Sequence, residues 1–440
     1  MAAARGGNLE RWRRFITEHW AERQHRNAYY LMLNTITGAA AGLLFWFLLA
    51  RLAALPPDQI GFGYAIVALG TVVGLVGKAG FDLALLRTVP GASHAQAMRL
   101  LRLSTLLGCS LALLLTIALA GFSFLTRVVT RMATPGWILV GAIGALLVIT
   151  WLQDAYFLAE GDARRSFLRN LVFSGARLLL PFPVLFLALP HVAALTWALA
   201  LGLSAVAAAV LAARIPAREG RDVPRREFLT SAVRNISGSA AEFLPGLLLA
   251  PMVIALDGPE AAAYFGIAWS AASLLFFASA AMSRSALAEM VRNGDQGQTS
   301  AIRRGIHHHL WLVLPAALLG AALAPYALRL FPPAYAAQGG PVLAVLCLST
   351  IVVAPSYFYL AWLRARERPV ALVAFPLAMV LALAILAPLF EARFGLVGVA
   401  LAWLIANAPF GGYAAWRLHV LARGATPRPS PTIIPTPQPE

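Results

Sequence analysis

The sequence predicts an all-α polytopic membrane protein, with about 12 transmembrane helices forming two parallel six-helix repeats around a central cavity. Charged residues make up 12% of the chain and hydrophobic ones 60%, whereas a soluble domain usually carries about 25% charge. The mean hydropathy is +0.73, and the apolar residues fall in runs long enough to cross a hydrocarbon core of roughly 30 Å as helices. The first two spans also return, in altered form, halfway along the chain. An apolar surface of this extent on a soluble protein would have too few polar residues to cover it.

The net charge of +16 and the pI near 11 do not indicate a nucleic-acid binder. The arginines lie in short connections between spans instead of on one face of a domain. Cys109 and Cys347 both sit inside apolar spans, so no disulfide framework is expected. The first 27 residues are charged and lack the apolar core of a cleavable signal peptide.

In chain order, residues 1–27 form a cytoplasmic interfacial segment. Leu9, Trp12, Ile16 and Trp20 share one helical face there, with Arg and Glu opposite. Six spans follow at 29–52, 61–84, 100–125, 136–158, 168–190 and 192–213, making an N-terminal lobe over 28–213. A basic cytoplasmic linker covers 214–227. The second six, at 229–256, 261–284, 307–330, 341–363, 370–390 and 395–420, make a C-terminal lobe over 228–421. A Pro-rich tail, 422–440, reads as disordered. With both termini cytoplasmic, the outer side keeps only Arg51, Arg127, Arg131, Arg329 and Arg393. So strong a bias sets the orientation.

The repeat is visible in matched stretches. Asn34-Thr35-Ile36-Thr37-Gly38 is echoed by Asn235-Ile236-Ser237-Gly238, and the turn before Tyr64 by the turn before Tyr264. Tyr156 and Trp197 match Tyr359 and Trp403. Each copy holds an even number of spans, so both start on the same side.

Leu48-Leu49-Ala50-Arg51 followed by Pro57-Asp58-Gln59-Ile60-Gly61-Phe62-Gly63-Tyr64, and later Gly80-Phe81-Asp82-Leu83 through Arg87, resemble the signature of the bacterial polysaccharide-transporter family. These are the oligosaccharide-lipid flippases of the multidrug/oligosaccharidyl-lipid/polysaccharide exporter superfamily. The six-plus-six plan fits along nearly the whole chain, although that family often has two further C-terminal helices. The resemblance implies a transporter in the bacterial cytoplasmic membrane that moves a lipid-linked oligosaccharide of the undecaprenyl-pyrophosphate type to the outer leaflet. The lobes would rock about the cavity while the lipid tail stays in the bilayer. The implied partners are that lipid-linked oligosaccharide, membrane lipids, and the polymerase or glycosyltransferases of a surface-polysaccharide pathway.

Polar groups deep in a span cost about 2.5–3.5 kcal/mol each on insertion scales, so each needs a reason. Arg177 is the only charged residue between Arg169 and Arg214 and sits about 15 Å into its span. It suits an anionic pyrophosphate, since guanidinium pairs bidentately with phosphate; the alternative is a structural partner for a carboxylate or for helix carbonyls. Glu242, followed by Pro245 and Pro251, could titrate and couple transport to protons, or form a fixed salt bridge. Lys78 and Asp82 have the i, i+4 spacing of an intrahelical ion pair, which leaves Lys78 either structural or a substrate-binding cation and Asp82 either structural or a coupling group. Arg234 near a span entrance, Arg51 at the outer turn, and Asn34 and Asn235 complete the substrate-binding candidates. The asparagines serve inter-helix bonding equally well. Gln153 and Asp154 read as a local cap or pair. His307-His308-His309 reads as an interfacial basic loop, because adjacent helical residues cannot converge on one ion. No P-loop, zinc spacing or nucleotide turn is found, so neither an enzyme nor a cofactor is expected. The rival readings are a multidrug or cation antiporter of the same superfamily and a membrane-embedded glycosyltransferase or ligase. The second would want a larger outer loop than this chain has.

Overall fold

The computed structural model describes residues 23–126, 134–185, 191–239, 244–366 and 368–424. Most of the expected interfacial segment, Glu242 and the end of the Pro-rich tail lie outside them.

The first lobe begins with α1 (Arg23–Phe47), which runs on through a π turn at Leu48–Leu52. Next comes α2 (Pro57–Gly77), opened by Pro57 and by Asp58 in its first turn. Proline's fixed φ and an acid near the positive helix end both favour a helix start there. The sequence predicted one continuous span over 61–84, but the helix stops at Gly77. Ala79 (φ 42°) and Gly80 (φ 75°) are left-handed, a conformation that Gly80 adopts without the clash of a Cβ. The chain restarts as α3 (Phe81–Thr88). Long helices α4 (His94–Thr126) and α5 (Thr134–Ala159) follow, then α6 (Ala163–Leu179), the short α7 (Pro181–Leu185) and α8 (Val192–Ala213).

The second half holds α9 (Arg225–Ser239), α10 (Leu244–Leu256), α11 (Pro259–Ala327), α12 (Gly340–Ala365), α13 (Pro369–Phe394) and α14 (Leu396–Gly424). α11 is helical over 69 residues but does not run straight. Ser279 Oγ and His309 Nε2 lie 3.0 Å apart, where a straight helix would separate them by about 45 Å. The connection expected over 285–306 is therefore helical and doubles back. His307 to His309 sit on the returning limb, which corrects their reading as a loop. Among the described residues, ten helical stretches are long and apolar enough to cross a membrane. The other two expected spans correspond to α6 with α7, and to α9 with α10.

The two ends of the bundle pack differently. At the end carrying the Pro57 and Pro259 turns, one core joins both halves. Phe45, Leu49 and Ile60 from the first pack with Phe265, Leu328 and Phe331 from the second. α2 and α11 approach so closely that a Cβ on Gly61 would lie 1.7 Å from the Pro259 carbonyl oxygen. Tyr64 lies flat on Gly266, and Ser270 Oγ donates to its hydroxyl at 3.3 Å. At the opposite, linker end the described cores are separate. One holds Phe81, Leu152 and Phe228; the other holds Met290, Phe358 and Leu418. α9 belongs to the second half by sequence, yet its Phe228 is buried on the first lobe and stacked on Phe81 at 6.2 Å.

The linker is tied to the first lobe. Arg218 donates to the carbonyls of Ala92 (3.0 Å) and Val89 (2.5 Å) and to the Glu160 carboxylate. Ala92 and Arg221 form a parallel bridge, and Gln96 Nε2 donates to the Val223 carbonyl at 2.8 Å.

Candidate functional site

The strongest concentration of buried polar groups lies along one face of α6. Asp162 caps the helix, its carboxylate accepting from the Arg165 amide at 3.3 Å. From there Ser166, Arg169, Asn170, Ser174 and Arg177 recur at three- and four-residue spacing, all buried. That period puts them on one side of a helix, turned into the first lobe.

The lower part of this face is a closed network. Asp154 of α5 takes a bidentate pair from Arg169, Nε at 3.1 Å and the terminal nitrogen at 2.6 Å, and accepts from Ser166 Oγ at 2.7 Å. Arg169 also donates to Ser204 Oγ of α8 at 3.2 Å. The charges cancel, and the fork geometry gives each carboxylate oxygen a donor. The sequence reading expected Asp154 to pair locally but counted Arg169 among the cytoplasmic loop charges.

Higher on α6 the polar groups are less completely bonded. Asn170 Nδ2 donates to the Asn34 carbonyl at 3.1 Å, while Asn34 Oδ1 and Ser174 Oγ are buried without a hydrogen-bond partner. Arg177 is 3% exposed. Its guanidinium lies over Phe173 at 4.7 Å and Trp197 at 5.1 Å, donates to the Gly38 carbonyl of α1, and keeps an unpartnered Nε–H. Ring faces attract a cation but leave its N–H groups unsatisfied. Gly42 lets α1 come close, since a Cβ there would already touch the guanidinium at 3.7 Å.

The remaining candidates are dispersed. Lys78 and Asp82 pair at 2.7 Å across the break between α2 and α3, with Lys78 Nζ 5.6 Å from the Trp151 ring centre. Arg51 is exposed in the π turn at the Pro57 end. Arg234 is exposed on α9 and lines an open groove with Arg225 and Arg226. Asn235 Nδ2 donates back to the Ser231 carbonyl at 2.7 Å. Asn34 alone of these shares the α1–α6 seam with Arg177. Among the described residues, no three His, Cys, Asp or Glu side chains group as a metal site.

No family model and no curated protein matches the sequence, but solved structures match over nearly its whole length. An inward-facing multidrug resistance MATE family transporter of the MOP superfamily superposes with TM-score 0.64 at 17% identity, covering 91% of this chain and all of that one. An outward-facing MATE structure gives 0.57 at 15% identity, covering 92% and 98%. A MOP superfamily transporter from Pyrococcus furiosus, described as having a binding pocket of reverse polarity, gives 0.54 at 13%, covering 91% and 97%. The chain has the MATE transporter fold. In that fold the α1–α6 seam belongs to the first of two related bundles, and the Gly61–Pro259 contact is where the bundles meet.

Sequence reasoning missed the Asp154–Arg169–Ser204 network because it judged Arg169 by nearness to a loop. The legible signal was the polar recurrence at 166, 169, 170, 174 and 177, a helical stripe inside an otherwise apolar chain.

Proposed function

We propose that the protein is a flippase for a lipid-linked oligosaccharide, moving an undecaprenyl-pyrophosphate type headgroup from the inner to the outer leaflet of a bacterial cytoplasmic membrane. The observation that carries this reading is Arg177, a buried cation whose contacts are a carbonyl and two rings instead of a carboxylate. Lys78 and Arg169 are each neutralised by an aspartate, so the described interior of the first lobe keeps one uncompensated positive charge. An anionic headgroup fits such a site; a cationic drug would be repelled by it.

On this reading the arginine-rich linker end faces the cytoplasm, both termini are inside, and the conformation is inward-open. The headgroup enters between the lobes, and its phosphate oxygens replace the Gly38 carbonyl as acceptor for Arg177. Asn34 and Asn235 offer hydrogen bonds to sugar hydroxyls, and Arg234 and Arg51 meet the substrate at entry and exit. The lobes then part at the Gly61 contact and close at the linker end.

The deciding experiment deletes the gene and analyses the accumulated membrane lipids. Build-up of a lipid-pyrophosphate-sugar with loss of surface glycan is expected. Arg177→Gln should abolish complementation while membrane insertion stays normal; full export would remove Arg177 from the substrate site. Gly61→Val should hold the lobes apart at their contact, read as a longer spin-label distance between α2 and α11 and as lost export.

A second reading, a multidrug exporter, is favoured by the neighbouring folds, since two of the structures above are described as multidrug resistance transporters. Unchanged surface glycan with new sensitivity to cationic drugs would select it.

A further inference from the structure

At the linker end of the second lobe, a groove of about 660 Å³ opens between α12, α13 and α14. It lies away from the α1–α6 seam, on residues the transport reading does not use. Tyr359 and Trp362 line it, their rings stacked at 5.7 Å. Two cations stand on its edge, Arg368 at the N-cap of α13 and Arg417 on α14, and no acidic side chain is among its described lining residues. The Arg417 Nε is buried and has no hydrogen-bond partner. α13 starts here without a side-chain cap and with Pro369, which has no N–H, so the first-turn amides left for an acceptor are those of Val370 and Ala371. The chemistry of this edge is that of a phosphate receptor.

What lies below the groove narrows the ligand. Val370 lines it and is 80% exposed. It heads a stripe of exposed apolar residues on α13: Val373, Leu377, Leu381, Ile385 and Leu389. At three- and four-residue spacing these share one helix face, and they extend about 29 Å along it, close to the thickness of a hydrocarbon core. The neighbours of α13 (α14, α10, α9 and α12) pack elsewhere on it. A soluble phosphate would have no use for that stripe, whereas a diacyl lipid would cover it. We infer that this groove binds an anionic phospholipid of the linker-end leaflet, its phosphate between Arg368 and Arg417 and an acyl chain along α13. The site is independent of the cargo carried between the lobes.

The test is thermal unfolding of the detergent-purified protein titrated with phosphatidylglycerol, with phosphatidylcholine and sodium phosphate as parallel titrants. Phosphatidylglycerol should stabilise at the lowest concentration. An Arg368→Gln/Arg417→Gln variant should need about 30-fold more of it, at roughly fivefold per arginine near a membrane surface. Val370→Trp keeps both cations but fills the groove. It should weaken phosphatidylglycerol binding comparably, and it stands as the test if the double variant does not fold. Equal stabilisation by phosphatidylcholine would overturn the proposal, as would full stabilisation by phosphate alone. So would an equal loss in Arg225→Gln/Arg226→Gln, which alters the other basic groove, since that would mean surface charge in general.

Discussion

α6 and α13 occupy corresponding places in the two halves, yet they are built from opposite material. The matched pairs Tyr156 with Tyr359 and Trp197 with Trp403 give offsets of 203 and 206. Carried through α6, these offsets place Arg177 against residues 380–383, which read Val-Leu-Ala-Leu. Arg169 falls against 372–375, Leu-Val-Ala-Phe, and Asp154 against 357–360, Tyr-Phe-Tyr-Leu. One lobe keeps a charged, hydrogen-bonded seam where the other keeps aromatic and aliphatic packing: Phe375 on Phe410 at 4.9 Å and Tyr359 on Tyr413 at 5.7 Å. Both solve the same packing problem, and the apolar solution avoids the cost of burying ions. The polar seam is therefore better explained by what it does than by what it holds together.

Breaking the seam tests this most severely. Asp154→Ala leaves Arg169 as a buried cation without its carboxylate, which should cost about 3–5 kcal/mol, measured by thermal unfolding in detergent. An indistinguishable unfolding temperature would mean that the network is solvated. Writing the seam into the other lobe is the converse experiment. Leu383 is 1% exposed, and Leu383→Arg should cost about 2.5–3.5 kcal/mol on insertion, read from the yield of membrane-integrated protein. The finest comparison uses the repeated tryptophans. A double-mutant cycle of Arg177→Gln with Trp197→Leu should return a coupling of about 0.5–2 kcal/mol, the range of a desolvated cation over a ring. Trp403, which meets Trp269 at 5.1 Å and Phe276 at 6.0 Å, should show no coupling to Arg177.

The bundle was readable from composition and span length, because hydrocarbon demands long uninterrupted apolar helices and little else competes with that signal. The repeat was readable from the Asn34/Asn235 and Trp197/Trp403 echoes. Two local features were not. The break at Ala79–Gly80 was hidden because a glycine in an apolar run also fits an unbroken membrane helix. The helical turnaround within α11 was hidden because its polar residues look the same in a loop. Arg177 stood out by its isolation in sequence, but its partners did not, since a backbone carbonyl on Gly38 and the faces of Phe173 and Trp197 carry no pattern of their own. Arg218, which fastens the linker, was one arginine among many until its acceptors were seen.

The contact between Gly61 and the Pro259 carbonyl has a mechanical consequence. It lies at one extremity of helices about 30 Å long, so it works as the fulcrum of a lever whose arm ends at the linker. A tilt of about 10° about that point shifts the far ends by about 5 Å over such a length, so the linker-end mouth narrows substantially before the contact has to part. At Gly61 itself no side chain separates the two backbones, so that one point has little material to compress. Motion at the wide mouth can then be large while the energy stored at the narrow end stays small.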